Sequence, residues 1–334
     1  MNIDWENLGF EFRPTKSNLR FSYEDGKWDD GKLFQTYDLT LSVASNCLHY
    51  GQAIFEGLKA FRCRDGKVRI FRPDANGERM TDSARHLLMP EFPVDRFVQA
   101  VRRVVADNLE YVPPFGTGGS LYIRPVMIGT TPQIGISSSK SYQLIFIVVP
   151  VGPYYKSGIS PVDAYVSLDY DRAAPHGTGH IKAAGNYAAS LFPTRIAKEH
   201  HCPVALFLDP RTHEFVDEFG TSNFFGITAG GAYVTPQSPS VLPSVTNRSL
   251  MQLAEDLGMK VEHRPVRRAE LPELKEVAAC GTAVVITPIS RIFDGDKVYQ
   301  YGREIGPALK KLYDEMTGVQ YGERPDRHGW LVEV

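Results

Sequence analysis

At 334 residues the chain has room for about two domains of ~150 residues each. A chain of that length buries roughly three quarters of its unfolded surface and needs no disulfide or metal staple. Lys and Arg (37) nearly balance Asp and Glu (39), so no bulk basic field points to nucleic acid or an anionic membrane. The 43% hydrophobic and 23% charged content excludes a disordered chain. No apolar run reaches the ~18 residues of a bilayer span. The start, Met1-Asn-Ile-Asp-Trp-Glu, lacks the basic and apolar regions of a secretory signal. Cys47, Cys63, Cys202 and Cys280 form no CxxC pair, which fits reduced thiols in a cytoplasm and gives no zinc site. No metal is expected.

Periodicity alternates between strand and helix. Gln35 to Val43 and Val68 to Phe71 read as strands. From Asp95 to Val112 a helix is predicted, with Phe97, Val98, Val101, Val104, Val105 and Leu109 on one stripe. Gln143 to Val149 reads as a buried strand stopped by Pro150. The Pro- and Gly-rich stretch that follows is the predicted interdomain loop, residues 151–161, between a smaller domain (1–150) and a larger one (162–334). Beyond it come strand Ala164 to Leu168, helix Tyr187 to Glu199, ending at the solvated pair His200-His201, and strand Val204 to Leu208. A hairpin is expected with Asn223 to Ile227 and Ala232 to Thr235 around Gly230-Gly231. Helix Asn247 to Leu257, strands Lys260 to Val266 and Ala283 to Thr287, and a helix near Ile305 to Met316 complete a mixed α/β (α+β) reading.

Three segments could carry chemistry. Gly177-Thr-Gly-His-Ile-Lys182-Ala-Ala-Gly-Asn-Tyr187 satisfies neither the phosphate-loop nor the dinucleotide glycine pattern. Lys182 there stands among small uncharged residues, where desolvation would favour its neutral amine. Asp217 and Glu218 are adjacent before an apolar strand, so one of them is expected to point inward. It could hold a protonated ring nitrogen; otherwise the pair is an exposed acidic turn. The turn-rich approach to Val245-Thr246 offers free N–H groups at a helix start, a phosphate cradle or only a cap.

The stretches Leu48-His-Tyr50-Gly-Gln-Ala-Ile-Phe55-Glu-Gly-Leu-Lys, Leu121-Tyr122-Ile-Arg124-Pro, Ile181-Lys182-Ala-Ala-Gly-Asn-Tyr187, Asp217-Glu218-Phe-Gly-Thr221-Ser-Asn223, Leu242-Pro-Ser-Val245-Thr246 and Gly281-Thr282-Ala283 occur in one order along nearly the whole chain. In this they resemble the fold-type IV pyridoxal-phosphate enzymes, and closely the branched-chain amino acid aminotransferases. The resemblance implies transfer of the amino group of leucine, isoleucine or valine to 2-oxoglutarate. Lys182 would form the Schiff base with pyridoxal 5′-phosphate and move the proton. It further implies Glu218 at the ring nitrogen and Tyr187 near the 3-hydroxyl, with Arg79, Val245, Thr246 and Thr282 at the phosphate. Thr221 and Ala283 would meet the substrate α-carboxylate, while Tyr50, Phe55, Tyr122 and Arg124 would line the side-chain pocket. A homodimer is implied, with Tyr50 and the loop of Ile134 and Ile136 reaching the neighbouring subunit's site. Val284 and Thr287 stand where some animal members carry a CxxC pair, so no thiol switch is expected there. The rivals are a D-amino acid aminotransferase, an aminodeoxychorismate lyase and a non-catalytic pyridoxal-phosphate carrier.

Overall fold

The computed structural model describes residues 3–153 and 159–334, which form two compact units. One unit takes its described residues from 3–153, 181–185 and 318–334; the other takes 159–180 and 186–317. The division is therefore not the pair of contiguous blocks expected from composition. Two returning segments explain the first unit's makeup. Leu331–Glu333 pairs antiparallel with Val68–Phe71, and Ala183 bridges to Ile54 while the Phe55 N–H donates to the Lys182 carbonyl at 3.1 Å. Part of the predicted loop 151–161, residues 154–158, lies outside the described residues.

Among the described residues the first unit holds a nine-stranded antiparallel sheet. Its centre is the long pair Ser120–Gly129 and Tyr142–Val151, flanked by Leu58–Arg62 on one side and Asn18–Glu24 on the other. Helices Pro73–His86 and Val94–Asp107 pack on it, with Phe97, Val101 and Val104 meeting Leu121, Ile123 and Phe146 in one core. Pro73 at the first helical position suits a site whose N–H would have no partner.

Several predicted boundaries are corrected here. Residues 35–43 form no strand; the strand ends earlier, at Lys32–Phe34. The Arg20 guanidinium and Asn18 amide take the Thr36, Asp38 and Phe34 carbonyls, replacing a ladder with side-chain donors. The second helix stops at Asp107, since the Asn108 amide turns back to the Val104 carbonyl (2.8 Å) and to Ser17. Leu109 consequently leaves the apolar stripe and is exposed, while Ala100 joins it. Pro150 does not end its strand. The pairing with Asn18–Glu24 stops at Phe146, so Pro150 lies where that side of the ladder needs no N–H.

The second unit holds a ten-stranded mixed sheet among the described residues. Val162–Ser167 runs parallel to both Val204–Leu208 and Val285–Asp294. The hairpin about Gly231 forms, with Gly226 opposite Val234, and Gly231 takes φ +81°, a value glycine adopts freely. The helix predicted over Tyr187 to Glu199 is two, Ala184–Ala189 and Leu191–Glu199. Pro193 cannot accept continuation through residue 190, because its ring clashes with the preceding turn. Pro265 likewise splits the strand expected over 260–266 into Val261–Arg264 and Val266–Arg267. Strand Glu276–Gly281 was not anticipated, and Ala283 sits in the turn between it and Val285–Asp294. The last helix is longer than expected, Pro307–Gln320. No helix among the described residues is long and apolar enough to cross a membrane.

Candidate active site

In the first unit, Lys182 and Ala183 lie against strand Ala53–Phe55. Lys182 is anchored through its backbone. Its N–H donates to the Ser83 hydroxyl at 3.1 Å, and its carbonyl receives the Phe55 N–H. The ammonium lies 4.8 Å from the centroid of the Phe55 ring. Burial, reinforced by the nearby Arg79 charge, pulls the Lys182 amine down to about 8. Arg79, on helix Pro73–His86, is 7% exposed and grips the fully buried Glu56 through two hydrogen bonds of 2.8 and 2.7 Å. Arg79 is therefore a buried, paired charge and not a solvated one on the helix surface.

Phe55, Tyr122 and Arg124 form a stack. The guanidinium sits 4.6 Å from the Phe55 centroid and 5.2 Å from that of Tyr122, and it donates to the Tyr122 hydroxyl at 2.8 and 3.2 Å. A Cβ at Gly57 would meet that hydroxyl, so a larger residue there would have to displace the Tyr122 ring and its bond to Arg124. Tyr50 ends helix Asn46–Tyr50 and donates to the Ile134 carbonyl; with Ile136, which is 88% exposed, this places an apolar edge in solvent.

In the second unit both Asp217 and Glu218 are buried, because strand Phe215–Phe219 is covered on both faces. Neither is the exposed turn that a bland reading allowed. Glu218 receives Arg172 at 2.6 Å, the Leu242 N–H at 2.9 Å and the Asn223 amide at 2.8 Å. Leu242 leads directly into helix Val245–Asp256, capped by the Ser244 hydroxyl on the Asn247 N–H. The Val245 and Thr246 N–H groups thus open a helix whose geometry gives them no internal acceptor. Thr221 belongs to the turn after Phe219, and Thr282 and Ala283 to the turn after Gly281. Pairing of Asn223 with Cys280 sets these two turns side by side. Val285, just past the second turn, holds φ +62°, a strained value for a β-branched residue. Tyr187 lies on helix Ala184–Ala189, half-buried. No group of histidine, cysteine and carboxylate residues among those described could hold a metal.

Residues 53–292 match amino-transferase class IV. The chain belongs to that family. The branched-chain-amino-acid aminotransferase of Haemophilus influenzae is 44% identical over all of this chain and 99% of its own. The solved branched-chain amino acid aminotransferase of Escherichia coli superposes with a TM-score of 0.78 at 29% identity, over 95% of this chain and 99% of that one. A third, the T.th. branched-chain amino acid aminotransferase, was solved with pyridoxamine 5′-phosphate; at 24% identity, a TM-score of 0.79, and 95% and 99% coverage it speaks to fold alone.

Within this class IV chain, two residues central to the geometry were not singled out from the sequence. Glu56 lay inside the Phe55-Glu-Gly-Leu stretch, where a lone carboxylate beside buried Leu58 and Ile54 was a usable signal. Arg172 had none, since its partners come from positions 179, 218 and 240.

Proposed function

We infer that this chain transaminates L-leucine, L-isoleucine and L-valine with 2-oxoglutarate, giving branched-chain 2-oxo acids and L-glutamate, with pyridoxal 5′-phosphate carried on Lys182. The observation that carries the reading is the desolvated Lys182 amine set against the Phe55, Tyr122 and Arg124 stack. Such residues fit the cofactor: an amine neutral enough to condense with an aldehyde, a caged carboxylate, and a helix N-terminus suited to phosphate. When bound, pyridoxal phosphate supplies an electron sink for the pair released at the substrate Cα.

The chain's own groups do the rest. Lys182 Nζ, once freed, takes and returns the Cα proton, which its lowered basicity permits near neutral pH. Glu218 is assigned the ring N–H, oriented by Arg172, Leu242 and Asn223. Arg79, Val245, Thr246 and Thr282 are assigned the phosphate, Tyr187 the ring hydroxyl, and Thr221 and Ala283 the α-carboxylate. Phe55, Tyr122 and Tyr50 supply apolar walls for Leu, Ile and Val. The Arg124 guanidinium gives an acidic substrate one partner in the same space.

A homodimer is part of the proposal. Val43, Leu48, Ile134 and Ile136 are strongly exposed, and a second copy would cover them. Free thiols at all four cysteines suit a reducing, cytoplasmic setting. Purified protein offered L-leucine or D-alanine with 2-oxoglutarate tests the reading. Glutamate formation with L-leucine alone supports it, and turnover of D-alanine or of neither rejects it.

A further inference from the structure

Helix Pro73–His86 carries Arg79 and, one turn later, Ser83. A spacing of four puts both on one face, and both are buried. The Ser83 hydroxyl makes two bonds whose directions are forced, since a carbonyl can only accept and an N–H can only donate. It donates to the Arg79 carbonyl at 2.9 Å and accepts the Lys182 N–H at 3.1 Å. A helical serine that bonds to the carbonyl four residues back is common. Here the oxygen left over takes the backbone of a distant lysine. One hydroxyl therefore joins the backbone of the buried arginine to that of the desolvated lysine. Two further ties of the lysine segment run to strand Ala53–Phe55, where the Lys182 carbonyl meets the Phe55 N–H and Ala183 bridges to Ile54.

We propose that Ser83 is a positioning residue that fixes the Lys182 backbone relative to Arg79. The inference rests on the reading of Lys182 as the lysine that carries pyridoxal phosphate and of Arg79 as a phosphate ligand. On that reading the two side chains hold opposite ends of one compact molecule, its aldehyde carbon and its phosphate. The separation of their backbones must then match the molecule's length. A long lysine side chain can absorb a mismatch, but only by losing more freedom when it bonds. Setting its Cα in place beforehand reduces that loss. Alanine at position 83 would take this acceptor from the Lys182 N–H and release the segment on its helix side, with the strand-side ties intact. Thr81 gives the contrast on the same helix. Its hydroxyl also bonds back one turn, to the Gly77 carbonyl at 3.0 Å, and its second contact is the Phe92 carbonyl, not the lysine segment.

The test titrates full-length apoprotein with two ligands. Pyridoxal 5′-phosphate can bond to Lys182, whereas pyridoxamine 5′-phosphate presents the same phosphate without an aldehyde. Ser83→Ala should weaken pyridoxal phosphate about tenfold, the equivalent of one ordinary hydrogen bond, and leave pyridoxamine phosphate within about twofold. Thr81→Val should leave both within about twofold, since the bond it removes does not reach the lysine. General damage to the helix would weaken both ligands together. Ser83→Cys keeps a donor for the Arg79 carbonyl but is a weak acceptor. It should show the same selective loss to a smaller degree, and it decides the matter should Ser83→Ala misfold. Equal weakening of both ligands, pyridoxal phosphate binding undiminished in the Ser83 variants, or the same selective loss in Thr81→Val would each overturn the proposal. Borohydride reduction of the loaded wild-type protein separates this from failure of the underlying reading. An adduct on Lys182 with no selective loss in the Ser83 variants removes the role of Ser83 alone, whereas an adduct on another lysine removes both.

Discussion

Replacing Glu56 by glutamine tests whether Lys182 is tuned by the charges around it. In the wild-type protein Glu56 is fully buried and meets Arg79 through two bonds of 2.8 and 2.7 Å. Glutamine keeps the shape and one acceptor but removes the charge, which leaves the Arg79 cation buried without a counter-charge. Breaking a buried pair from one side costs about 3–5 kcal/mol, and the retained acceptor places this change near 3 kcal/mol. The first unit's urea transition should move to correspondingly lower denaturant.

The same substitution acts on Lys182, because Glu56 opposes the lowering of its pKa by burial and by Arg79. Without Glu56 the amine should titrate below its present value of about 8. The direction of the stability effect follows. The folded apoprotein binds this proton more weakly than the unfolded chain does, so Lys182 costs stability at low pH and relieves that cost as pH rises from about 8 toward the model-peptide value near 10.4. In Glu56→Gln the relief should begin at lower pH. Competitive acetylation of the apoprotein, read by peptide mass spectrometry across pH 6 to 11, measures the Lys182 titration. A stability loss under about 1 kcal/mol, or a Lys182 titration that stays put or moves up, would refute the reasoning.

Glu218→Gln should still fold, with a stability loss of about 3 kcal/mol because it leaves Arg172 buried without its counter-charge. It should lower kcat far more than it raises KM, while Asp217→Asn should leave leucine turnover within about threefold; the reverse pattern would assign the ring to the wrong carboxylate. Arg124→Gln should weaken glutamate and 2-oxoglutarate by about 10- to 100-fold, the worth of a charge-assisted hydrogen bond, with little change for leucine. Equal losses would make Arg124 a packing element of the Phe55 and Tyr122 stack. Lys182→Ala and Ile136→Asp, each inactive or poorly active alone, should complement when co-expressed with separate tags. The doubly tagged dimer should recover about half the wild-type activity if each site draws on both chains. An inactive mixed dimer would place Ile136 away from the partner's site.

What the sequence disclosed depended on how local the cause was. Val68–Phe71 and Val204–Leu208 match their predicted strands, since hydrophobic patterning and the flanking turn residues are local. Misplaced boundaries trace to long-range donors. The Arg20 guanidinium dissolves the strand expected after Phe34, and Asn108 reaches Ser17 to stop a helix whose own periodicity would have continued. Lys182 was legible from its uncharged surroundings. The burial of Arg79 was not, because its counter-charge Glu56 stands 23 residues away and on a different element. Asp217 and Glu218 show the same limit: alternation along a strand separates their faces, but not that both faces are covered.

The most direct test of the central claim is reduction of the purified yellow holoenzyme with borohydride, followed by peptide mapping. The account predicts a single phosphopyridoxyl adduct on the peptide containing Lys182, and loss of that adduct when L-leucine is added before the reductant. An adduct on another lysine, none at all, or one that L-leucine does not diminish would contradict it.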